Sequence, residues 1–174
     1  QLNYHIDLTH TLNWKTHKLN SGISYKHLDL NQEIEFLENN TNSYDGEYKN
    51  YEHIAGLFVE NMFSWKNNLD LISGLRIDHL NNHGVYLTPR AQLKYNYSEH
   101  TTFRINIGKG WRTSKLFSEQ PHLFSTNLDL IIDKNNLKPE EAVNIGFNGV
   151  HNLFLDNFDF EFVFDIYHTN FKNQ

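Results

Sequence analysis

The feature that most constrains this chain is an alternation of apolar and polar residues that recurs along most of its length. The clearest example places phenylalanines at every second position from Phe158 to Phe164, with Asp159 and Glu161 between them. Successive side chains of a β-strand point to opposite faces, whereas a helix would scatter the same apolar residues around its circumference. The sequence therefore predicts an all-β chain whose strands carry one apolar face and one polar face.

Turn signals divide the alternating pattern into eight predicted strands. Short polar turns are expected at 15–18, 66–68, 81–84 and 98–100. Two longer polar loops are expected at about 31–52 and about 111–139, the second with a short helical turn from Ser114 to Glu119. Pro89 is expected near the start of its strand, because proline has no N–H to donate to a central ladder. No linker or low-complexity tract marks a domain boundary.

Composition excludes several classes of protein and site. The chain has no cysteine, which rules out a disulfide framework, a thiolate metal site and a cysteine nucleophile. Its net charge of −6 is scattered without a basic stripe, so a nucleic-acid partner is not expected. The longest apolar run, Ala55 to Val59, is far shorter than the roughly 20 residues of a membrane-spanning helix. A membrane barrel needs no such run, because its strands only alternate.

Three features favour a transmembrane barrel over a soluble sheet. The predicted strands reach about ten residues, tight turns alternate with long loops, and aromatic rings collect at strand ends as in an interfacial girdle. The girdle candidates are Trp14, Trp65, Tyr95, Tyr97 and Trp111. The fold class predicted is an antiparallel up-and-down transmembrane β-barrel. Alternation alone leaves open a soluble, lipocalin-like ligand-binding barrel, in which the apolar face from Phe158 to Ile166 would point inward.

The direction of the strands suggests that residues 1–174 are part of a larger barrel. If the tight turns lie at the periplasmic rim, both chain ends lie at the extracellular side, whereas a complete bacterial barrel of this type begins and ends in the periplasm. The last residues, Phe171 to Gln174, also lack the terminal aromatic expected where such a barrel closes. We therefore expect a barrel domain truncated at both ends. The alternative is a small, complete eight-stranded membrane barrel that acts as an adhesin or structural protein.

Four motifs in the second part of the chain carry a family resemblance. They are Leu87-Thr88-Pro89-Arg90, then Gly108-Lys109-Gly110-Trp111-Arg112-Thr113 with Leu116-Phe117 and Glu119, then Leu137-Lys138-Pro139-Glu140 with Asn144 and Gly146, and last Phe164-Asp165-Ile166-Tyr167 with Asn170-Phe171-Lys172-Asn173. In this order and spacing they resemble the barrel of TonB-dependent receptors over about Leu69 to Gln174. The family-motif residues are Pro89, Gly108, Gly110, Pro139, Glu140 and Gly146.

The resemblance implies a function and its partners. It implies a barrel of 22 strands in the intact protein, with a plugged lumen, in the outer membrane of a Gram-negative bacterium. Such a receptor takes up a scarce nutrient, for example a siderophore, cobalamin, a metal chelate or a glycan, with energy delivered by TonB. Outer-membrane lipid, the protein's own plug domain and TonB are the implied partners. Neither an enzyme activity nor a cofactor is implied.

The candidate site residues lie on the polar face and beside the second long loop. Arg76, Arg90 and Arg104 are expected to face the lumen, where they line the substrate path or brace the plug domain. The simpler interpretation is that they form ion pairs with neighbouring acids of the barrel wall. Trp111 and Arg112 are ligand-contact candidates, although Arg112 is more simply a structural anchor of the loop. Ligand contacts are expected from the loops near 31–52 and 111–139. No catalytic or metal-binding set is predicted, since nothing converges on Asp159 and Glu161 or on the histidines.

Overall fold

The computed structural model describes residues 2–34, 46–66, 68–113 and 138–173. These residues form one eight-stranded antiparallel sheet in which every strand pairs with its neighbours in chain order. The strands are β1 (Leu2–Trp14), β2 (His17–Ile34), β3 (Gly46–Trp65), β4 (Leu69–Leu80), β5 (Gly84–Ser98), β6 (Thr101–Arg112), β7 (Glu140–Leu155) and β8 (Phe158–Lys172). The predicted all-β, up-and-down arrangement is confirmed. In this part of the chain no helix is long and apolar enough to cross a membrane.

Strands β2, β3 and β6 extend into segments that the sequence predicted to be loops. Strand β2 continues to Ile34 and β3 begins at Gly46, so much of the loop predicted at 31–52 is paired strand. Polar side chains stabilise this extension: Asn31 Nδ2 donates to Glu47 Oε1 at 2.6 Å. The prediction was wrong because a ladder is built by backbone groups and does not require apolar side chains. Strand β6 likewise continues to Arg112, and the helical turn predicted at 114–119 lies outside the described residues.

The tight turns predicted at one rim of the sheet are confirmed, and the opposite rim also has a short turn. At one rim, β1–β2 and β5–β6 are joined by two-residue turns, and β3–β4 and β7–β8 are also joined tightly. Lys15 and Lys66 adopt positive φ values of 35° and 51° in two of these turns. At the opposite rim the β4–β5 connection is also short, at residues 81–83. The short turn predicted at 81–84 is thus confirmed, and it interrupts the alternation of tight turns with long loops.

The curvature of the sheet separates its two faces. Asp7 and Thr9 of β1 line the same concavity as Arg76 of β4 and Arg90 of β5, so the polar face is the concave one. The apolar face lies on the convex side, where Leu8 is 67% exposed and residues 158–166 are exposed throughout. A soluble barrel would need the apolar face inside, and that alternative is therefore contradicted.

The sheet has almost no apolar core within the described residues. Only Leu28 and Leu80 are buried hydrophobic residues there, whereas Ser24, Glu52 and Asp78 are buried polar residues. Strands β1 and β8 form the two edges of the open sheet. The sheet is therefore stabilised by ladder hydrogen bonds and polar-face contacts. Its large exposed apolar surface is of the kind that contacts lipid or another protein.

Pro89 lies inside β5, at the point where one of its two ladders stops. It pairs with Leu75 of β4, but the β5–β6 ladder begins only at Arg90, opposite Gly108. A residue without an N–H group suits a position where the neighbouring ladder ends. Beyond this point the first residues of β5 and the last residues of β6 are not in register with each other, while β6 remains paired with β7 up to Arg112.

Candidate functional site

A buried carboxylate, Asp78, organises the polar face near the rim that carries the β4–β5 turn. Arg76 Nε donates to Asp78 Oδ1 at 2.7 Å and to Oδ2 at 2.9 Å. Arg76 Nη2 also donates to Ser24 Oγ at 2.6 Å, which connects β4 to β2 across the intervening β3. Charged hydrogen bonds of this kind are stronger than neutral ones, and the low exposure of Asp78 reduces their screening by water.

Gly56 makes this connection across β3 possible. It lies opposite Asp78 in the ladder, and a Cβ atom at this position would be 2.4 Å from Asp78 Oδ1 and 2.5 Å from Arg76 Nη2. Any larger residue would occupy the space through which the guanidinium reaches Ser24. Sequence reasoning missed Gly56 and Ser24. The available signal was a glycine inside a strand, which often marks a close approach by another group.

A second cross-strand pair is built in the same way. Arg90 of β5 pairs with Glu60 of β3, although Gly74 of β4 lies between them in the ladder. The space above Gly74 is filled by the Arg90 side chain, whose Cγ would be 3.2 Å from a Cβ at that position. Arg76 and Arg90 therefore both form the wall ion pairs that the simpler sequence interpretation expected.

Arg104 differs from the other two predicted luminal arginines. Its Nη1 donates to Asn148 Oδ1 at 2.8 Å, and Asn148 in turn donates to Asp165 Oδ1 at 2.7 Å. Instead of the expected direct ion pair, the Asn148 amide connects Arg104 to the Asp165 carboxylate by two hydrogen bonds. The ladder explains this, because Asn148 stands opposite both Arg104 on β6 and Asp165 on β8.

Trp111 lies on the polar face and not in the aromatic girdle predicted for it. Its indole Nε1 donates to Asp78 Oδ2 at 3.3 Å, and its ring stacks on Tyr86 with centroids 4.8 Å apart. Strict alternation would have placed Trp111 with Ile105 and Ile107. Trp111 lies beyond Gly108, where β6 is no longer paired with β5. Tyr86 is a further site residue that the sequence did not identify.

The family-motif residues have separate structural environments. Arg112 Nε donates to Glu140 Oε2 at 2.7 Å, and Pro139 is buried just before β7, so these residues link the strands on either side of 114–137. A Cβ at Gly146 would be 2.5 Å from the ring of Tyr167, which explains the glycine. Among the described residues, a Cβ at Gly110 would have no neighbour within 4 Å and one at Gly108 only ordinary contacts, so close packing does not explain these two glycines.

Arg76, Asp78, Trp111 and Arg112 line one concavity at the Asp78 end of the polar face. Its volume is about 580 Å³, within the usual range for small-molecule sites. The lining includes His5, Lys26, Glu52, Arg76, Asp78, Trp111 and Arg112. Arg76 and Asp78 neutralise each other, while Lys26 has no ion pair within the described residues. The concavity thus combines an indole ring, cationic groups and hydrogen-bond donors. Among the described residues, no cluster of three or more histidine or acidic side chains is arranged to hold a metal ion.

Two rows of aromatic and histidine rings lie near the two ends of the apolar face. One row contains Trp14, His17 and Phe63: His17 stacks on Trp14 at 5.6 Å and makes a tilted contact with Phe63 at 4.7 Å between centroids. The other contains Tyr4, Tyr25, His27 and His53, with His27 stacked on Tyr4 at 4.9 Å. His17 and His27 belong to the same strand and are ten residues apart. Ten residues span about 33 Å of strand, or about 25 Å across a membrane at the roughly 40° tilt of barrel strands. That height is the usual height of the apolar band of an outer-membrane barrel.

Comparison with solved structures shows the same fold. The siderophore receptor PirA from Pseudomonas aeruginosa is 19% identical, with a TM-score of 0.69 over 97% of this chain and 31% of its own. The ferric enterobactin receptor PfeA from the same organism, in a mutant form, is 17% identical, with a TM-score of 0.70 over 99% of this chain and 26% of its own. The copper transporter OprC is 17% identical, with a TM-score of 0.60 over 87% of this chain and 27% of its own.

The chain thus spans about a quarter to a third of the length of these solved receptors. No curated protein matches the sequence. The family model for the TonB dependent receptor-like β-barrel matches residues 1–174, which is the whole chain. The four motifs, the up-and-down sheet and this match agree, and the chain belongs to the TonB-dependent receptor β-barrel family.

Proposed function

We propose that this chain forms part of the wall of an outer-membrane receptor that takes up a scarce nutrient in a Gram-negative bacterium. In this proposal the convex apolar face contacts lipid and the concave polar face lines the lumen. The observation that carries the proposal is the pair of aromatic rows on the apolar face, whose spacing along β2 fits the thickness of the membrane's apolar layer. Proteins of this family are transporters and receptors, so we propose no catalytic role.

We further propose that the eight strands are a segment of a larger barrel domain. An open sheet leaves unsatisfied backbone groups along β1 and β8, and such edges are not tolerated in lipid. Additional strands would pair with both edges. A plug domain would occupy the lumen and transmit energy from TonB, with Arg76, Arg90 and Arg104 in the wall that faces it.

The concavity around Trp111 is the proposed place of ligand contact within this chain. The stacked Trp111 and Tyr86 rings offer a flat apolar surface. Lys26 adds a positive charge, whereas the Arg112 guanidinium is paired with Glu140. Such a combination suits an anionic metal chelate, as a siderophore complex would be. The solved relatives described as siderophore receptors support this class, and cobalamin, other metal chelates and glycans are the alternatives within the same proposal.

Uptake by cells that produce the full-length protein tests the proposal. A strain that depends on this protein is expected to accumulate a radiolabelled ferric siderophore only when TonB is present. Trp111→Ala is expected to reduce uptake at low ligand concentration by about tenfold, since a stacking and hydrogen-bonding contact is lost. Trp65→Ala is the matched control and should leave ligand affinity unchanged. Trp65 is the last residue of β3, at the rim opposite Trp111, and is exposed on the apolar face. Uptake that does not require TonB would contradict the proposed function.

A further inference from the structure

Two histidines on neighbouring strands approach each other through their ring nitrogens on the apolar face. His27 of β2 and His53 of β3 are direct partners in the antiparallel ladder. Their Nδ1 atoms are 3.1 Å apart, and the ring centroids are 4.6 Å apart. Tyr25 brings a third polar atom, because its hydroxyl oxygen is 2.8 Å from Nδ1 of His53.

The two contacts of His53 Nδ1 compete with each other. An imidazole Nδ1 has one position in the ring plane, which either holds a proton or accepts one. His53 Nδ1 faces both His27 Nδ1 and the Tyr25 hydroxyl, so it can form a proper hydrogen bond with only one of them. A second imidazole nitrogen and a phenolic oxygen thus both lie within about 3 Å of His53 Nδ1.

The spacing of the two nitrogens is that of neighbouring ligands on one metal ion. Metal–imidazole bonds are about 2.0 to 2.1 Å long, so two of them at angles between square-planar and tetrahedral place the nitrogens about 2.9 to 3.4 Å apart. The observed 3.1 Å lies inside this interval. The ladder fixes both backbones, so a metal ion would bind with little rearrangement of the protein.

The surroundings keep the site close to water. The backbone N–H of His53 donates to Asn81 Oδ1, in the β4–β5 turn, at 3.1 Å. Asn81 N donates back to the carbonyl oxygen of His53 at 3.2 Å. The pair therefore lies at the rim, beside a turn, and both rings are partly exposed. Water can complete the coordination sphere there.

We propose that His27 and His53 form a binding site for a divalent transition-metal ion, with Tyr25 as an adjacent oxygen ligand. Cu²⁺ is the ion expected to bind most tightly, because imidazole sites follow the order in which Cu²⁺ exceeds Ni²⁺ and Zn²⁺. The site lies on the convex face and is separate from the luminal concavity around Trp111. It links β2 to β3 and does not depend on the transport function proposed above.

Copper titration of the chelator-treated full-length protein in detergent tests the site. Calorimetry with CuCl₂ is compared for the unchanged protein, His27→Asn, His53→Asn and the control His17→Asn. His17 belongs to the same strand and face and is stacked between aromatic rings, but its Nδ1 faces Asn61 Oδ1 at 3.2 Å and not a second imidazole. Each of the first two variants is expected to lose one copper site or to bind it at least about tenfold more weakly, because one of two imidazole ligands is gone.

Electron paramagnetic resonance provides a readout that a purely structural role would not change. The Cu²⁺ signal lost in His53→Asn is expected to show coupling to two imidazole nitrogens. Equal copper binding in the unchanged protein and in folded His53→Asn would overturn the proposal, as would an equal loss in His17→Asn. If His53→Asn does not fold, the unchanged protein decides: coupling to two nitrogens supports the site, and coupling to fewer overturns it. A failure of siderophore uptake would leave each of these results unchanged.

Discussion

Gly56 and Asp78 face each other on β3 and β4, so closely that a Cβ on the glycine would lie 2.4 Å from the carboxylate oxygen. This missing side chain creates the passage through which Arg76 reaches Ser24, one strand further along the sheet. The polar face is therefore held together across three strands, from β2 to β4, by contacts that backbone pairing alone does not provide.

Replacing Gly56 by alanine is expected to destabilise the barrel by about 1 to 3 kcal/mol, the usual cost of overpacking a filled site. The added methyl group must displace the Arg76 guanidinium or the Asp78 carboxylate. The measurement is the denaturant dependence of unfolding of the full-length protein in detergent. Gly110→Ala is the matched control, because no atom of the described part of the chain lies within 4 Å of its Cβ position. Equal stability of the two variants would contradict the steric argument.

The two arginine–acid pairs are expected to differ in energy because they differ in burial. Arg76→Met leaves the Asp78 carboxylate buried without its partner, which costs about 3 kcal/mol, the lower end of the range for breaking a buried pair. Arg90→Met breaks a pair whose arginine is 67% exposed and should cost less than about 1 kcal/mol. Unfolding free energies of both variants check the ranking. The reverse order would show that burial does not determine how much each pair contributes to the free energy of unfolding.

The two faces of the sheet are expected to respond differently to a new charge. Leu75 lies on the apolar face, between Val59 and Pro89 in the ladder and near the middle of the band between the aromatic rows. Leu75→Arg should cost about 2 to 4 kcal/mol, as charges do at the midplane of a barrel's lipid face. Gln92→Arg, on the polar face of β5, should be close to neutral. Folding into lipid vesicles, followed by gel mobility before and after heating, measures the difference. A costly Gln92→Arg together with a tolerated Leu75→Arg would reverse the assignment of the faces.

The outer part of the β2–β3 hairpin is expected to loosen in acid. Hydrogen bonds from Lys49 and then Asn31 lower the pKa of the Glu47 carboxyl below its usual value, and the same contact with Glu47 raises the pKa of Lys49. A carboxyl whose folded-state pKa is lowered contributes stability above its unfolded pKa and loses it as the pH falls through the folded value. The contribution is therefore fully present near pH 6 and is lost progressively as the pH falls below the ordinary glutamate pKa of about 4.3.

Hydrogen exchange of the backbone amides at 31–34 and 46–50 measures this loosening. Exchange, corrected for its intrinsic pH dependence, should accelerate below about pH 4 in the unchanged protein. Glu47→Gln should remove most of the pH dependence, because a neutral amide has no proton to gain. Lys18→Gln, at the opposite end of β2, is the control and should leave it in place. An equal pH dependence in Glu47→Gln would assign the effect to another group.

The alternation of side chains by itself determined the all-β class, the eight strands and the antiparallel, up-and-down order, because the two-residue period of a strand is written directly in the sequence. It also determined that Arg76 and Arg90 share a face with Asp78 and Glu60. The glycine- and proline-containing motifs indicated the family. Loop predictions were less accurate, since the polar residues of 31–34 and 46–52 form strand through backbone hydrogen bonds that do not depend on side-chain polarity.

Only the tertiary structure decided which groups meet. The role of Gly56 follows only from the positions of β2, β3 and β4 side by side in the sheet. His27 contacts His53 because the ladder register makes them partners. The position of Trp111 could not be read from alternation, because it lies beyond Arg90 and Gly108, where the β5–β6 ladder ends, and its indole bonds Asp78. The period of a strand is a local property, whereas register, curvature and the end of a ladder depend on residues far apart in the chain.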